Sequence, residues 1–223
     1  MCYNSEMDRG FNFEVDNIYH IYTRGVDRRI IYGGDPDFLL FQKLLFLCNS
    51  TMRFDVRELP IGMSVYDIKR EETLVYIGAY AQMPNHIHLL LMEKVPGGIS
   101  KFMSKTLTSY AKVFNAKMGR TGTLLERPFK AKHVDSDGYL ANLYGYIPLN
   151  PIKLIDPAWK EKGIQDKRKA KEFLDNYRFS SYLDYMGVER PENKILNRDP
   201  FPPEFTKKSS FEHLISEFFS NPQ

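Results

Sequence analysis

His86 and His88 are separated by one residue in Met83-Pro84-Asn85-His86-Ile87-His88-Leu89-Leu90-Leu91-Met92, a turn followed by an apolar run of strand length. Side chains alternate along a strand, so both imidazoles face one side and Ile87 the other. Two strand rises put their Cα atoms about 6.6 Å apart, which lets both rings converge on one ion. An isolated His-x-His can equally line a sheet, hydrogen-bonded to its neighbours. A second group, downstream, shifts that balance. Tyr144-Gly145-Tyr146-Ile147-Pro148-Leu149-Asn150-Pro151 closes a helical segment, and in a continuing helix Tyr146 and Asn150 are i, i+4 neighbours on one face. That face would offer a phenol and an amide oxygen to the same ion. Two imidazoles and one carbonyl oxygen, with positions open to water or phosphate, suit Mg²⁺ or Mn²⁺, the imidazoles favouring Mn²⁺. A closed tetrahedral zinc site would want a thiolate or a third nearby histidine, and the pattern supplies neither.

The elements that must position these groups follow from periodicity. Residues 17–23 have the β-branched and aromatic density of a strand, ended by Arg24-Gly25. Asp35 and Pro36 open a helix whose stripe of Phe38, Phe41, Leu44, Leu45 and Cys48 runs to about Asn49. Residues 50–72 are irregular. A strand over 74–82 pairs as a hairpin with the histidine strand across Pro84-Asn85. A helix over 99–118 buries Ile99, Phe102, Met103, Leu107, Tyr110 and Phe114, and Gly119-Arg120-Thr121-Gly122 stops it. A short strand at 129–134, the closing helix at 137–147 and a solvated helix at 160–176 complete the core. The order predicts an α+β fold: a ferredoxin-like or RRM-like antiparallel sheet with helices on one face, a closing helix carrying the tyrosine, and a C-terminal extension. Residues 1–16 read as a leader, 17–188 as the domain, and 189–223 as a linker and helical tail.

Taken together, Pro84-Asn85-His86-Ile87-His88-Leu89-Leu90 and Tyr146-Ile147-x-x-Asn150-Pro151 resemble the single-tyrosine HUH transposases, in particular the REP-associated branch. Tyr19-His20-x-x-x-Arg24-Gly25, Ser109-Tyr110-x-x-x-Phe114-Asn115, Gly122-Thr123-x-x-Glu126-Arg127-x-Phe129-Lys130 and Ser180-Ser181-Tyr182 extend the resemblance over roughly 17–185. Such proteins cut and rejoin single-stranded DNA beside short hairpins. The resemblance implies that His86, His88 and Asn150 hold the divalent ion. Tyr146 is then the nucleophile, forming a 5′-phosphotyrosine link and freeing a 3′-hydroxyl. On that reading Arg120, Arg127, Lys130 and Lys132 contact the DNA backbone. Tyr110 is an alternative nucleophile and His133 an alternative ligand, while His20 reads as a structural histidine and His213 as a surface one. The family includes both monomers and homodimers.

Composition narrows the rest. The formal net charge of +3 conceals an uneven distribution: residues 101–171 hold fifteen Lys or Arg against six Asp or Glu. A basic middle enclosing the candidate site is the footprint of a polyanion-binding face. No apolar run reaches the roughly 18 residues of a membrane span, and Cys2 and Cys48 give no disulfide framework, so the cytoplasm is the expected compartment. Three further functions fit part of the pattern. The alternative nearest in fold is a domesticated relative that binds hairpin DNA or RNA without cutting it. A histidine phosphoesterase would need a second His-x-Thr motif, and a replication initiator a paired Tyr-x-x-x-Tyr; neither is where it should be.

Overall fold

The computed structural model describes residues 12–52 and 62–220. Four strands, β1 (Ile18–Arg24), β2 (Val75–Met83), β3 (His86–Glu93) and β4 (Lys130–His133), form one antiparallel sheet in the order β2-β3-β1-β4. Helix α1 (Asp35–Leu47) connects β1 to β2 and α2 (Gly98–Lys117) connects β3 to β4. This is the βαββαβ, ferredoxin-like arrangement expected from the order of elements. One sheet face is the core: Tyr19, Ile21, Ile87, Leu89 and Leu91 are buried with Phe41, Leu45 and all six stripe residues predicted for α2. Each such large apolar side chain contributes about 1.5–3 kcal/mol on removal from water. Buried Glu93, at the end of β3, accepts hydrogen bonds from the backbone N–H groups of Gly98 and Ile99 and so satisfies two free donors at the start of α2.

The other face is covered by helix α3 (Asp137–Leu149), the predicted closing helix, which ends in a 3₁₀ turn, Asn150–Leu154. Ser136 caps its start by accepting from the Tyr139 N–H. Pro148 lies inside the last turn without breaking it: Asn150 keeps helical dihedrals and its N–H turns to the Ile147 carbonyl, three residues back. The chain continues through Pro148 and tightens into the 3₁₀ turn at Asn150. The single helix expected over 160–176 is two, α4 (Trp159–Lys162) and α5 (Lys167–Asn176). Gly163 separates them at φ +73°, a left-handed position that other residues rarely take.

Helices α6 (Tyr182–Tyr185), α7 (Pro203–Thr206) and α8 (Lys208–Ser220) follow. Residues on either side of α6, from Phe179 to Asn197, run along the outer edge of β2. Gln82 donates to the Phe179 carbonyl, Ser181 to Tyr80, and Asn197 to Ile77, each at 2.9 Å, so the edge is not left open to pairing with another chain. The Arg190 guanidinium meets the inaccessible Asp184 carboxylate at 2.5 Å and the Tyr80 hydroxyl at 2.9 Å. Phe218 of α8 lies on Gly145 of α3 so closely that a Cβ there would come within 2.0 Å of the ring. The C-terminal helix thus presses on the element that carries Tyr146.

Candidate metal centre and nucleophile

Strand alternation and register assemble the site. Tyr22 pairs with His88 on one side and Lys130 on the other, Arg24 with His86, and His20 with Lys132. These residues therefore share the sheet face opposite the core, the face on which α3 lies. The His86 and His88 rings are 5.0 Å apart, nearly perpendicular at 87°. The Tyr146 ring stands edge-on to His88 at 5.7 Å, with Trp159 stacked beyond it at 6.2 Å and the Lys160 ammonium 4.5 Å from its centre. Asn150 is 1% exposed, and its Oδ1 has no hydrogen-bond partner. A buried, unpartnered carbonyl oxygen costs free energy unless something fills its lone pairs.

Each histidine is tethered through Nδ1. His86 Nδ1 is 2.6 Å from Asn85 Oδ1, and Asn85 is itself oriented by donating Nδ2–H to the Arg28 carbonyl at 3.3 Å. His88 Nδ1 is 2.9 Å from His20 Nε2. The remaining ring nitrogen on each is Nε2. Burial, reinforced by Lys153 and Arg24, lowers the His86 pKa to about 4, against a smaller upward pull from Asn150. Burial and the neighbouring His20 and His86 rings hold His88 well below its ordinary value. Both rings are thus neutral at physiological pH, the protonation state a metal ligand needs. Burial raises the Tyr146 phenol above its ordinary value, against a smaller downward pull from Asn150. Asn150 thus influences both His86 and Tyr146.

Two imidazoles and an orphaned amide oxygen fit a divalent ion of the Mg²⁺ or Mn²⁺ type. Among the described residues no group of three or more His, Cys, Asp and Glu side chains is placed to share an ion, so any ligand set here is the mixed one. Beside His86 opens a cavity of about 540 Å³, with Tyr22, Arg24, Arg28, Lys130 and Lys153 in its wall. It shares Tyr22, Glu126, Pro128 and Lys130 with a second hollow of about 760 Å³ that reaches Arg127. Glu126 is held there by Arg24 at 2.6 Å.

The four chemical residues singled out in the sequence, His86, His88, Tyr146 and Asn150, come together. Lys130 and Arg127 line the groove. Lys132 shares the site's sheet face and lies 4.4 Å over the Tyr139 ring. Arg120 stands after the end of α2, bonded to Asn115 Oδ1 at 2.8 Å, and lines neither hollow. Tyr110 is fully buried and donates its hydroxyl hydrogen to the Ile31 carbonyl, so it is a core residue. His133 pairs with Tyr19 and faces away from the histidine pair. Sequence reasoning missed Asn85, Lys153 and Lys160. For Lys153 a signal existed: it follows Tyr146 by seven residues, two helical turns along the same face.

An antiparallel ferredoxin-like sheet bearing a histidine pair, closed by a helix with a tyrosine and an asparagine one turn apart, is the class that fold and site define. No protein-family model matches the chain, and no curated protein matches it. Among solved structures it is similar to a REP-associated tyrosine transposase bound to a REP hairpin, at 13% identity and a TM-score of 0.48, over 84% of this chain and 90% of that one. It is also similar to a bacterial tRNA(His) guanylyltransferase-like protein in complex with ATP, at 9% identity and a TM-score of 0.39, over 89% of this chain and 77% of that one. Both are distant likenesses. No helix among the described residues is long and apolar enough to cross a membrane.

Proposed function

We propose that this protein cleaves single-stranded DNA beside hairpins of the REP type and transfers the strand through a 5′-phosphotyrosine intermediate on Tyr146, with a divalent metal held by His86, His88 and Asn150. The observation that supports this reading is the meeting of the Tyr146 ring with His88 at 5.7 Å within one chain, beside the unpartnered Asn150 Oδ1.

A divalent ion held by His86, His88 and Asn150 would supply positive charge to offset the negative charge that builds on the phosphodiester during attack. The chain's own residues do the rest. Lys153 and Lys160, whose charges already act on the histidines, add positive field for the approaching phosphate. Trp159 and His88 flank the Tyr146 ring and fix the line of attack. Burial keeps the phenol protonated in the resting site, so its proton departs to solvent as the Tyr146 oxygen bonds to phosphorus. The P–O3′ bond breaks, and the 3′ oxygen takes a proton to become a hydroxyl. The covalent link conserves the phosphodiester's energy, and attack by a 3′-hydroxyl reverses the step and joins strands. Lys130, Lys132 and Arg127 follow the backbone of the bound strand.

Incubation with hairpin-flanked single-stranded DNA and Mn²⁺ or Mg²⁺ should give a protein–DNA adduct that survives denaturation. Tyr146→Phe should lose the adduct and retain binding. An adduct from Tyr146→Phe would show that the nucleophile is another residue. Wild-type protein that binds the hairpin but forms no adduct with either metal would be a non-cleaving hairpin-binding protein.

A further inference from the structure

We propose that His20 is the positioning residue for the candidate ligand His88, fixing which of its ring nitrogens is free to hold the cation. The inference rests on the reading of His86 and His88 as metal ligands and adds a residue to it from a strand that the histidine motif does not include.

His20 Nε2 and His88 Nδ1 face each other at 2.9 Å, with both rings buried. A hydrogen bond between two neutral imidazoles holds one proton, and two arrangements are possible. With the proton on His20 Nε2, His88 accepts at Nδ1 and carries its own hydrogen on Nε2, which then has no lone pair to give. With the proton on His88 Nδ1, His20 accepts, and the His88 Nε2 lone pair is available. Only the second arrangement makes His88 a ligand through Nε2, and it requires His20 to keep its hydrogen on Nδ1. Metal-bound histidines commonly have their second nitrogen held in this way by an outer acceptor.

The packing keeps His20 in that role. Its ring lies nearly parallel to His88, 5.1 Å away at 23°. Tyr22 borders both rings, at 5.2 Å and 5.8 Å, and Tyr146 stands edge-on to His20 at 6.5 Å. A turn of the His20 ring would have to move three aromatic neighbours. The other ligand is held differently. Asn85 Oδ1 can only accept, so it fixes the His86 hydrogen on Nδ1 without a second choice. One tether is thus acceptor-only, and the other is an imidazole whose hydrogen must be correctly placed.

The test compares Mn²⁺ affinity, read by electron paramagnetic resonance of the free ion, in wild-type protein, His88→Ala, His20→Leu and His20→Gln. Leucine fills the space without an acceptor, whereas the glutamine Oε1 reaches the place of Nε2 and accepts from His88 Nδ1–H. His20→Leu should bind Mn²⁺ about 10–100-fold more weakly, as loss of an outer acceptor does at other sites, and His20→Gln should restore most of the affinity. Wild-type affinity in His20→Leu, alongside lost binding in His88→Ala, overturns the role of His20 and leaves the ligand reading standing. Absent wild-type binding, or undiminished binding in His88→Ala, overturns the ligand reading and this proposal with it. A second measurement avoids any question of whether a variant folds. Long-range ¹H–¹⁵N spectra of wild-type protein with Mg²⁺ should show both His88 and His20 protonated on Nδ1; a hydrogen on His88 Nε2 refutes the proposal.

Discussion

Acidifying the metal-free protein should unfold it, and the size of the effect follows from the cluster of imidazoles. His20 is 7% exposed, and burial, with help from Lys132 and Lys160, lowers its pKa from 6.5 to about 4. Between those values the unfolded chain binds a proton that the folded protein refuses, so stability rises with pH across the window and falls as pH drops through it. At 1.36 kcal/mol per pKa unit, His20 accounts for about 3 kcal/mol, a loss complete near pH 4. His88 shifts in the same direction, and so does His86, whose partial exposure trims its share through solvent screening. Against a typical domain stability of about 5–15 kcal/mol, three such rings bring an acid transition within reach. The buried carboxyls of Glu93 and Asp184 are raised and act in the opposite sense, so the quantity to measure is a difference between variants. Urea unfolding with chelator present, followed by the fluorescence of Trp159, the chain's one tryptophan, gives stability at each pH. Over the window from about 6 down to about 4.5, the dependence in His20→Gln should be shallower than wild type by about 1.4 kcal/mol per pH unit, the weight of one proton. Equal slopes would mean that His20 titrates normally in the folded state and that the burial argument is wrong.

Two further outcomes are expected. Gly145→Ala puts a methyl group within 2.0 Å of the Phe218 ring and should cost about 1–3 kcal/mol by urea unfolding, as overpacking does; in a Phe218→Ala background the same change should cost far less, which a double-variant cycle reads directly. Replacing Lys130 and Lys132 by glutamine should weaken hairpin binding and flatten its salt dependence by about 0.7 in logarithmic slope for each lost single-strand phosphate contact; an unchanged slope would take those lysines off the nucleic acid.

What the sequence determined by itself was local. The alternation that puts His86 and His88 on one face needs only the strand period, and the stripe Ile99, Phe102, Met103, Leu107, Tyr110 and Phe114 needs only the helical one. The Tyr146–Asn150 spacing was legible for the same reason, although the continuation of α3 through Pro148 into a 3₁₀ turn was not. The tertiary structure decided which distant segments meet. His20 reaches His88 across sixty-eight positions because β1 is inserted between β3 and β4. Phe218 comes down on Gly145, and Lys153 and Lys160 reach the histidines, through the path of the chain around the closing helix. Periodicity records which face of an element is apolar and is silent about which other element covers it. Pairing and burial of whole elements settle that, and with it the protonation of the imidazoles, which depends on the water that packing removes.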